Sequence, residues 1–380
     1  MDAVNSVPAI PEPRSDKNIL VRRSSGSQGA LLGALFAITM VLSAAVCRAA
    51  SADGPLSIYF VDVEGGQATL FVTPDGHSLL IDTGWSGNGG RDANRIAAVA
   101  ESAALRKIDF VLLTHYHPDH AGGVSQLFAR IPIGAFIDHG RNRDAADPAT
   151  VTAWDNYQRL VSKQHLTRIV PRTGTDLPLL GIVATVVSSD GVLLQKPLTE
   201  AGAENSACST AEKRPPDRSE NYRSLGIMLT FGAVRILDLG DLTWNQELKL
   251  VCPINKLGMV DIFIVSQHGA QESNSPALLN AISPRLAIMD NGADKGGSPS
   301  SWNSITHAPG LEDLWQLHYS DEEGSGHNSM ESRIANLPGG SDGNYLKLSV
   351  WPDGKLEIYN SRTGVLKRYA SSPRARHPAG

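Results

Sequence analysis

From residue 56 the chain alternates short apolar runs with longer stretches whose apolar residues recur at helical spacing. Runs 57–63 and 68–73 flank Glu64-Gly65-Gly66-Gln67 and read as two strands joined through a turn. Further strands are predicted at 78–81, 108–113, 133–137, 226–231, 234–237, 260–265 and 285–289, and helices at 91–105, 120–130, 150–165, 242–250, 275–283 and 300–307. Two late runs, 345–351 and 355–359, are joined by Pro352-Asp353-Gly354, a sequence with turn chemistry. Strands alternating with helices predict an α/β layered sandwich, with a mixed sheet where hairpins occur. The polar, breaker-rich stretch 188–222 reads as a long surface loop.

The first 52 residues follow a different pattern. Residues 1–29 are polar and include Arg22 and Arg23, which precede an uncharged run from Ala30 to Val46 and then Ala50-Ser51-Ala52. A basic region, an apolar run and a small-residue site predict a secretory signal peptide. The alternative is an uncleaved anchor, because the run is at the lower limit for spanning a bilayer. The expected division is therefore an N-terminal extension with signal at 1–52, one α/β domain at 53–368 and a disordered tail at 369–380. Export, to the periplasm or the medium, is the predicted destination, with no stable membrane association once the signal is cut. Cys208 and Cys252 then remain as an even pair in an oxidising compartment, able to pair or to stay as thiols. The chain carries 34 basic and 39 acidic residues, a net charge of −5. That balance excludes a dedicated binder of long nucleic acid, which needs a basic footprint.

The chemistry gathers where apolar runs stop. Ile81 precedes Asp82-Thr83-Gly84, and Leu113 precedes Thr114-His115-Tyr116-His117-Pro118-Asp119-His120. Leu239 precedes Gly240-Asp241, and Val265 precedes Ser266-Gln267-His268-Gly269. Ligands of open α/β sheets collect beyond the carboxyl ends of strands, so these four endings predict one convergent site. Imidazole nitrogen and carboxylate oxygen are the donors that zinc and similar ions accept. His115 and His117, two residues apart in an extended turn, can chelate one ion, and Asp119 and His120 then face a second.

These segments resemble the metallo-β-lactamase superfamily. Val61-Asp62-Val63-Glu64-Gly65-Gly66-Gln67 and Asn221-Tyr222-Arg223-Ser224-Leu225 narrow the likeness to the soluble hydrolase domain of competence DNA-uptake channel proteins. The resemblance implies a four-layer αβ/βα sandwich with two divalent ions at one edge, Zn2+ first, Mn2+ or Fe as alternatives. It implies His115 and His117 on one ion, Asp119, His120 and His268 on the other, Asp241 bridging, and Asp82 supporting from behind. Asp241 could instead cap the helix that follows it. Asp238 is the weaker bridge, lying within the strand. The superfamily usually supplies a third histidine before the strand leading to Gly-Asp; Asn221 stands there, and His139 is the candidate replacement.

Trp85, Arg141, Arg143, Asn221, Lys295, His318 and His327 are candidates for the pocket around the metals. The expected activity is hydrolysis by a metal-activated hydroxide, with Asp119 as the residue that orients the nucleophile and moves its proton. A phosphodiester in a small-molecule or nucleotide-like substrate is the first choice. A lactone or β-lactam is the alternative, and a non-catalytic metal- or nucleotide-binding protein is the reading from another class.

Overall fold

A computed structural model describes residues 54–371, apart from 323, 325, 341 and 342. The expected signal peptide and most of the expected tail lie outside the described residues. The chain first lays down β1 (Leu56–Phe60), β2 (Thr69–Val72), β3 (Ser78–Ile81), α1 (Arg91–Ser102) and β4 (Ile108–Leu112). It continues through α2 (Pro118–Ala121), α3 (Val124–Phe128), β5 (Ile133–Ile137), α4 (Pro148–Gln164) and β6 (Thr167–Ile169). A second series follows: β7 (Val183–Ser189), β8 (Val192–Leu193), β9 (Gly226–Phe231), β10 (Val234–Asp238), α5 (Trp244–Val251) and β11 (Ile262–Ile264). After these come α6 (Pro276–Ile282), β12 (Leu286–Met289), α7 (Pro299–Thr306), β13 (Asp313–His318) and β14 (Ile334–Asn336). Finally β15 (Leu346–Val350), β16 (Leu356–Asn360) and β17 (Leu366–Tyr369) return to the first sheet.

The first sheet has the order β17-β16-β15-β1-β2-β3-β4-β5-β6, and the second β14-β13-β12-β11-β10-β9-β7-β8. Alternation along the strands explains how they stack. Ile58, Phe60, Leu79 and Ile81 meet Ile227, Leu229, Ile236 and Ile262 in a core between the sheets. Tyr59, Leu80 and Val111 point the other way, onto Ile96 of α1, Leu127 of α3 and Tyr157 of α4. On the opposite outer face Leu237, Phe263 and Ala287 pack against Leu250, Leu278 and Ile305 of α5, α6 and α7. The architecture is therefore the four-layer αβ/βα sandwich.

Several local expectations change. The turn between the first two strands is wider than 64–67: Val61 N–H reaches Ala68 O at 3.0 Å, so 61–68 form one loop. The helix expected at 120–130 is two helices, because Gly123 N–H donates to Gly84 O while Asp119 O accepts from Gln67 N–H. That exchange removes the helical bond between residues 119 and 123 and turns the backbone at the site. β13 escaped the periodicity because buried Asp313, Gln316 and His318 interrupt its apolar run. Tyr369, assigned to the tail, ends β17, buried with its hydroxyl on Asp313 and 2.9 Å from Trp315 Nε1. The polar stretch 188–222 is indeed mostly irregular, and a Cys208–Cys252 disulfide, with Cα atoms 5.7 Å apart, fastens it beside α5.

Candidate metal centre

Strands β3, β4 and β5 are parallel neighbours, as are β10, β11, β12 and β13. The carboxyl ends of these strands carry the chemistry of the site. Asp82 follows β3; His115 and His117 follow β4; Asp241, His268 and Asp290 follow β10, β11 and β12. Pro118 occupies the first position of α2, where its missing N–H costs nothing, and His117 precedes it in extended conformation. Asp119 and His120 thereby fall in the first turn, both buried. Gly240 has φ 54°, and a Cβ there would stand 2.8 Å from Thr114 Cβ, so glycine lets the Asp241 turn close over the His115 strand. Asp82, Gln267 and His268 also hold left-handed conformations, at φ 59°, 50° and 54°. Such backbone is costly for these residues and is maintained by the surrounding packing.

The histidines and carboxylates form two overlapping donor groups. In one, His115 Nε2 and His117 Nδ1 are 3.0 Å apart, with Asp241 Oδ2 3.8 Å from His115 Nε2. In the other, His120 Nε2 lies 3.1 Å from His268 Nε2, 3.1 Å from Asp119 Oδ2 and 3.3 Å from Asp241 Oδ1. Asp241 belongs to both. The outer ring nitrogens are held: His120 Nδ1 by Asp82 Oδ2 at 2.7 Å, and His115 Nδ1 by Thr114 Oγ1 at 3.0 Å. Such outer contacts aim the other nitrogen inward.

Charge follows this crowding. Burial works against protonated His120, but Asp241 and Asp119 outweigh it and hold the ring well above the usual histidine range. His268 is pushed up to about 9: burial and Lys295 oppose its charge, and Asp241 and Asp290 prevail. His115 moves the other way, well down, through burial and the neighbouring His120 charge. Burial raises Asp119 and Asp241, yet His120 reverses this for both, helped by Lys295 at Asp119 and by His268 at Asp241. Asp241 Oδ1 is buried with no aligned hydrogen bond. Ring nitrogens facing one another at contact distance, beside a buried, unpartnered carboxylate oxygen, fit a divalent cation.

Residues 61–195 match the family model of the metallo-beta-lactamase superfamily, covering Asp82 and the whole 115–120 cluster. Over that stretch the chain is similar to the superfamily that its motifs resemble. It is 25% identical over 233 residues to recombination protein 2 of Haemophilus influenzae, a match spanning 61% of this chain and 24% of that protein. A 63-residue segment is 36% identical to hydroxyacylglutathione hydrolase of Stenotrophomonas maltophilia, spanning 17% of this chain and 21% of that one. The matched parts thus span less than a quarter of both relatives' lengths. Among solved structures, the metallo-beta-lactamase fold protein YhfI of Bacillus subtilis aligns with a TM-score of 0.42 and 14% identity, over 69% of this chain and 96% of that one.

The remaining sequence candidates are placed as follows. His139 belongs to neither donor group: its Nε2 is 2.9 Å from Glu220 Oε2, and its ring lies against Tyr116. The structure brings it to neither group: Glu220 takes Nε2, and Nδ1 is buried without a hydrogen-bond partner. Asn221 is buried, with an Oδ1 that has no hydrogen-bond partner. A cavity of about 440 Å³ borders it, with Thr243 and Gln267 beside the ligand turns and Arg214 stacked on Trp244 at 3.6 Å. Arg141 is exposed; Arg143 pairs with Asp190 at 2.9 Å, and neither reaches the donor groups. His327 lies against Trp302. His318 Nε2 is 2.6 Å from Asp62 Oδ1, and Arg95 holds the other oxygen at 2.8 Å. That network fixes the 61–68 loop over Asp119.

Two supporting residues, Asp290 and Glu220, went unrecognised in the sequence, and Asp238 was weighed there only as a bridge. Asp290 approaches His268 Nδ1 at 3.4 Å, and its position at a strand end is the signal that could have found it. Asp238 accepts from Gln67 Nε2 at 2.6 Å, and burial pushes it up to about 7. Glu220, within the polar stretch, gave no signal at all.

Proposed function

We propose that the protein is an exported hydrolase that holds two divalent ions, zinc in the first instance, and cleaves a phosphodiester. The observation that carries this reading is Asp241, whose two oxygens face the two donor groups separately. His115 and His117 would hold one ion, Asp119, His120 and His268 the other, with Asp241 between them. Bound ions of this kind supply Lewis acidity and make water acidic enough to ionise near neutral pH. Asp119, held at low pKa and open to the cleft through Lys295, would orient the attacking water and carry its proton to the leaving group. Asp82 and Asp290 would keep His120 and His268 in position. The cavity bordered by Asn221, Thr243 and Gln267 is where the rest of the substrate would lie.

The likeness to recombination protein 2 supports a nucleotide-like phosphodiester, and the Cys208–Cys252 bridge supports export. The segment similar to hydroxyacylglutathione hydrolase favours a second reading, an acyl substrate such as a lactone or β-lactam. Metal analysis combined with turnover of bis(p-nitrophenyl) phosphate, a lactone and a chromogenic cephalosporin tests the proposal. Two equivalents of metal and turnover of the phosphodiester alone are expected. Turnover of a cyclic acyl compound alone establishes the second reading, and metal without turnover of any establishes a binding protein.

A further inference from the structure

Lys295 reaches the donor groups from the loop after β12, a segment that supplies none of the histidines or carboxylates in them. Its Nζ sits on Asp119 Oδ2. That same oxygen stands 3.1 Å from His120 Nε2 and 3.2 Å from His268 Nε2, so it faces the centre of the second donor group. An ammonium on this oxygen and a divalent ion among these four donors compete for one place. Coulomb repulsion at such separations, in a buried cleft, drives the singly charged group out.

The loop is built to stay while the side chain moves. Gly292 N–H donates to Lys295 O at 2.8 Å, Ser320 Oγ to Gly296 O at 2.9 Å, and Gly297 N–H to His268 O at 2.9 Å. Asn291 Nδ2 also donates to His318 O at 2.9 Å. The Cα of Lys295 is thus fixed, whereas its four-carbon stem is flexible and its side chain is 40% exposed. In this same position Nζ also lies 4.9 Å from the Trp85 ring centroid, a contact with the ring face that does not depend on Asp119. Displaced from Asp119, the ammonium remains at the mouth of the site, facing whatever enters.

We propose that Lys295 is a two-position cation: the counter-ion of Asp119 before the metal is bound, and afterwards the anchor for a phosphate oxygen of the substrate. This rests on the metal-centre reading above, and the experiment separates the two. Zn2+ affinity of the full-length protein is measured by competition with a chromogenic chelator, for wild type, Lys295→Met and Lys295→Arg. Methionine keeps an unbranched stem of similar length and removes the charge, so Lys295→Met should bind Zn2+ at least threefold more tightly, with an unaltered thermal midpoint in excess metal. The ratio of kcat/KM for bis(p-nitrophenyl) phosphate to that for neutral p-nitrophenyl acetate should fall at least tenfold, mostly through KM, and Lys295→Arg should recover part of it. Zn2+ binding no tighter in Lys295→Met overturns the counter-ion role. An unchanged substrate ratio overturns the anchoring role. Wild-type protein that binds no Zn2+ overturns the metal-centre reading itself, a result visible without any variant.

Discussion

His120 Nδ1 stands 2.7 Å from Asp82 Oδ2, while the other Asp82 oxygen accepts the Thr114 N–H at 2.8 Å. The contact joins the ends of two neighbouring parallel strands, and it gives Asp82 a task that justifies its left-handed backbone. With Nδ1–H held by Asp82, the ring of His120 turns Nε2 into the cleft, where a metal ion would take the place of its second proton.

Asp82→Ala should therefore weaken the second ion without deleting its site. Loss of such an outer carboxylate typically costs 10–100-fold in affinity, on the order of 1–3 kcal/mol. Zn2+ titration should show two equivalents at saturation and one of them released at lower chelator concentration than in wild type. Affinity equal to wild type would mean that Thr114 alone orients the ring.

Asp119→Asn should fold normally and lose on the order of 10²–10⁴-fold in turnover, because the amide can neither take up the proton nor match the carboxylate as a ligand. Thermal melting checks the first half and steady-state kinetics the second. Wild-type turnover in the variant would remove Asp119 from the mechanism.

The strand-end rule made most of this site legible, since Asp82, the 115–120 cluster, Asp241 and His268 all follow an apolar run directly. Spacing identified the donors but not their partners. His139 obeys the same rule at the end of β5, yet Glu220 claims its nitrogen, and Glu220 lies 81 residues away in a stretch without periodicity. Long-range pairing of that kind leaves no local trace. The layer architecture was equally legible from the alternation of strands and helices. β13 was not, because its polar side chains are satisfied from afar: Asp313 by Arg333, Lys367 and Tyr369, Gln316 by Asn328 and His318 by Asp62.

His139→Ala should leave the metal stoichiometry at two, since the ring stands outside both donor groups with Nε2 on Glu220. It should instead strand a buried carboxylate and cost roughly 3–5 kcal/mol. Burial raises Glu220, but the hydrogen bond from His139 reverses this and holds the carboxyl below its ordinary 4.5. A lowered carboxyl contributes stability above its unfolded pKa and loses it as pH falls through the folded value. The penalty measured by urea unfolding should thus be full at pH 7 and shrink below about pH 4.5. A missing metal equivalent in this variant would return His139 to the ligand set.

Reduction of Cys208–Cys252, or the Cys208→Ser/Cys252→Ser pair, opens a loop with a sequence separation of 44. Chain-entropy arguments put the loss at about 4 kcal/mol, less whatever structure the opened loop retains. The same strap carries Arg214, whose backbone N–H bonds Asn245 Oδ1 at 3.0 Å beside the cavity. The thermal midpoint and KM should therefore change together on reduction. A lower midpoint with an unaltered KM would separate the strap from the substrate pocket.

Glu247 links the two ligand turns of the second sheet, and its titration should be visible in stability. Its carboxylate accepts the N–H groups of Asn274 and Ser275, each at 2.8 Å, at the start of α6, while Asn274 Nδ2 donates to Ser266 O at 2.9 Å beside His268. Burial pushes Glu247 up to about 7 from an ordinary 4.5, the two N–H donors offsetting only part of the cost. A raised folded pKa means that the folded state binds more protons between these two values, so stability falls as pH rises through them. The favourable contribution is complete below about pH 4.5 and exhausted above about pH 7, a span of about 3 kcal/mol. Glu247→Gln does not titrate, and the NH2 end of its amide turns a donor toward one of the two backbone N–H groups, which costs about 1–3 kcal/mol. At pH 5 the wild type should therefore be the more stable, and by pH 8 the gap should close or reverse. Comparing the two proteins by urea unfolding at each pH cancels the other titrating groups, Asp238 among them. A difference that stays constant from pH 5 to pH 8 would show that Glu247 remains ionised throughout, held by the two N–H groups rather than neutralised by burial.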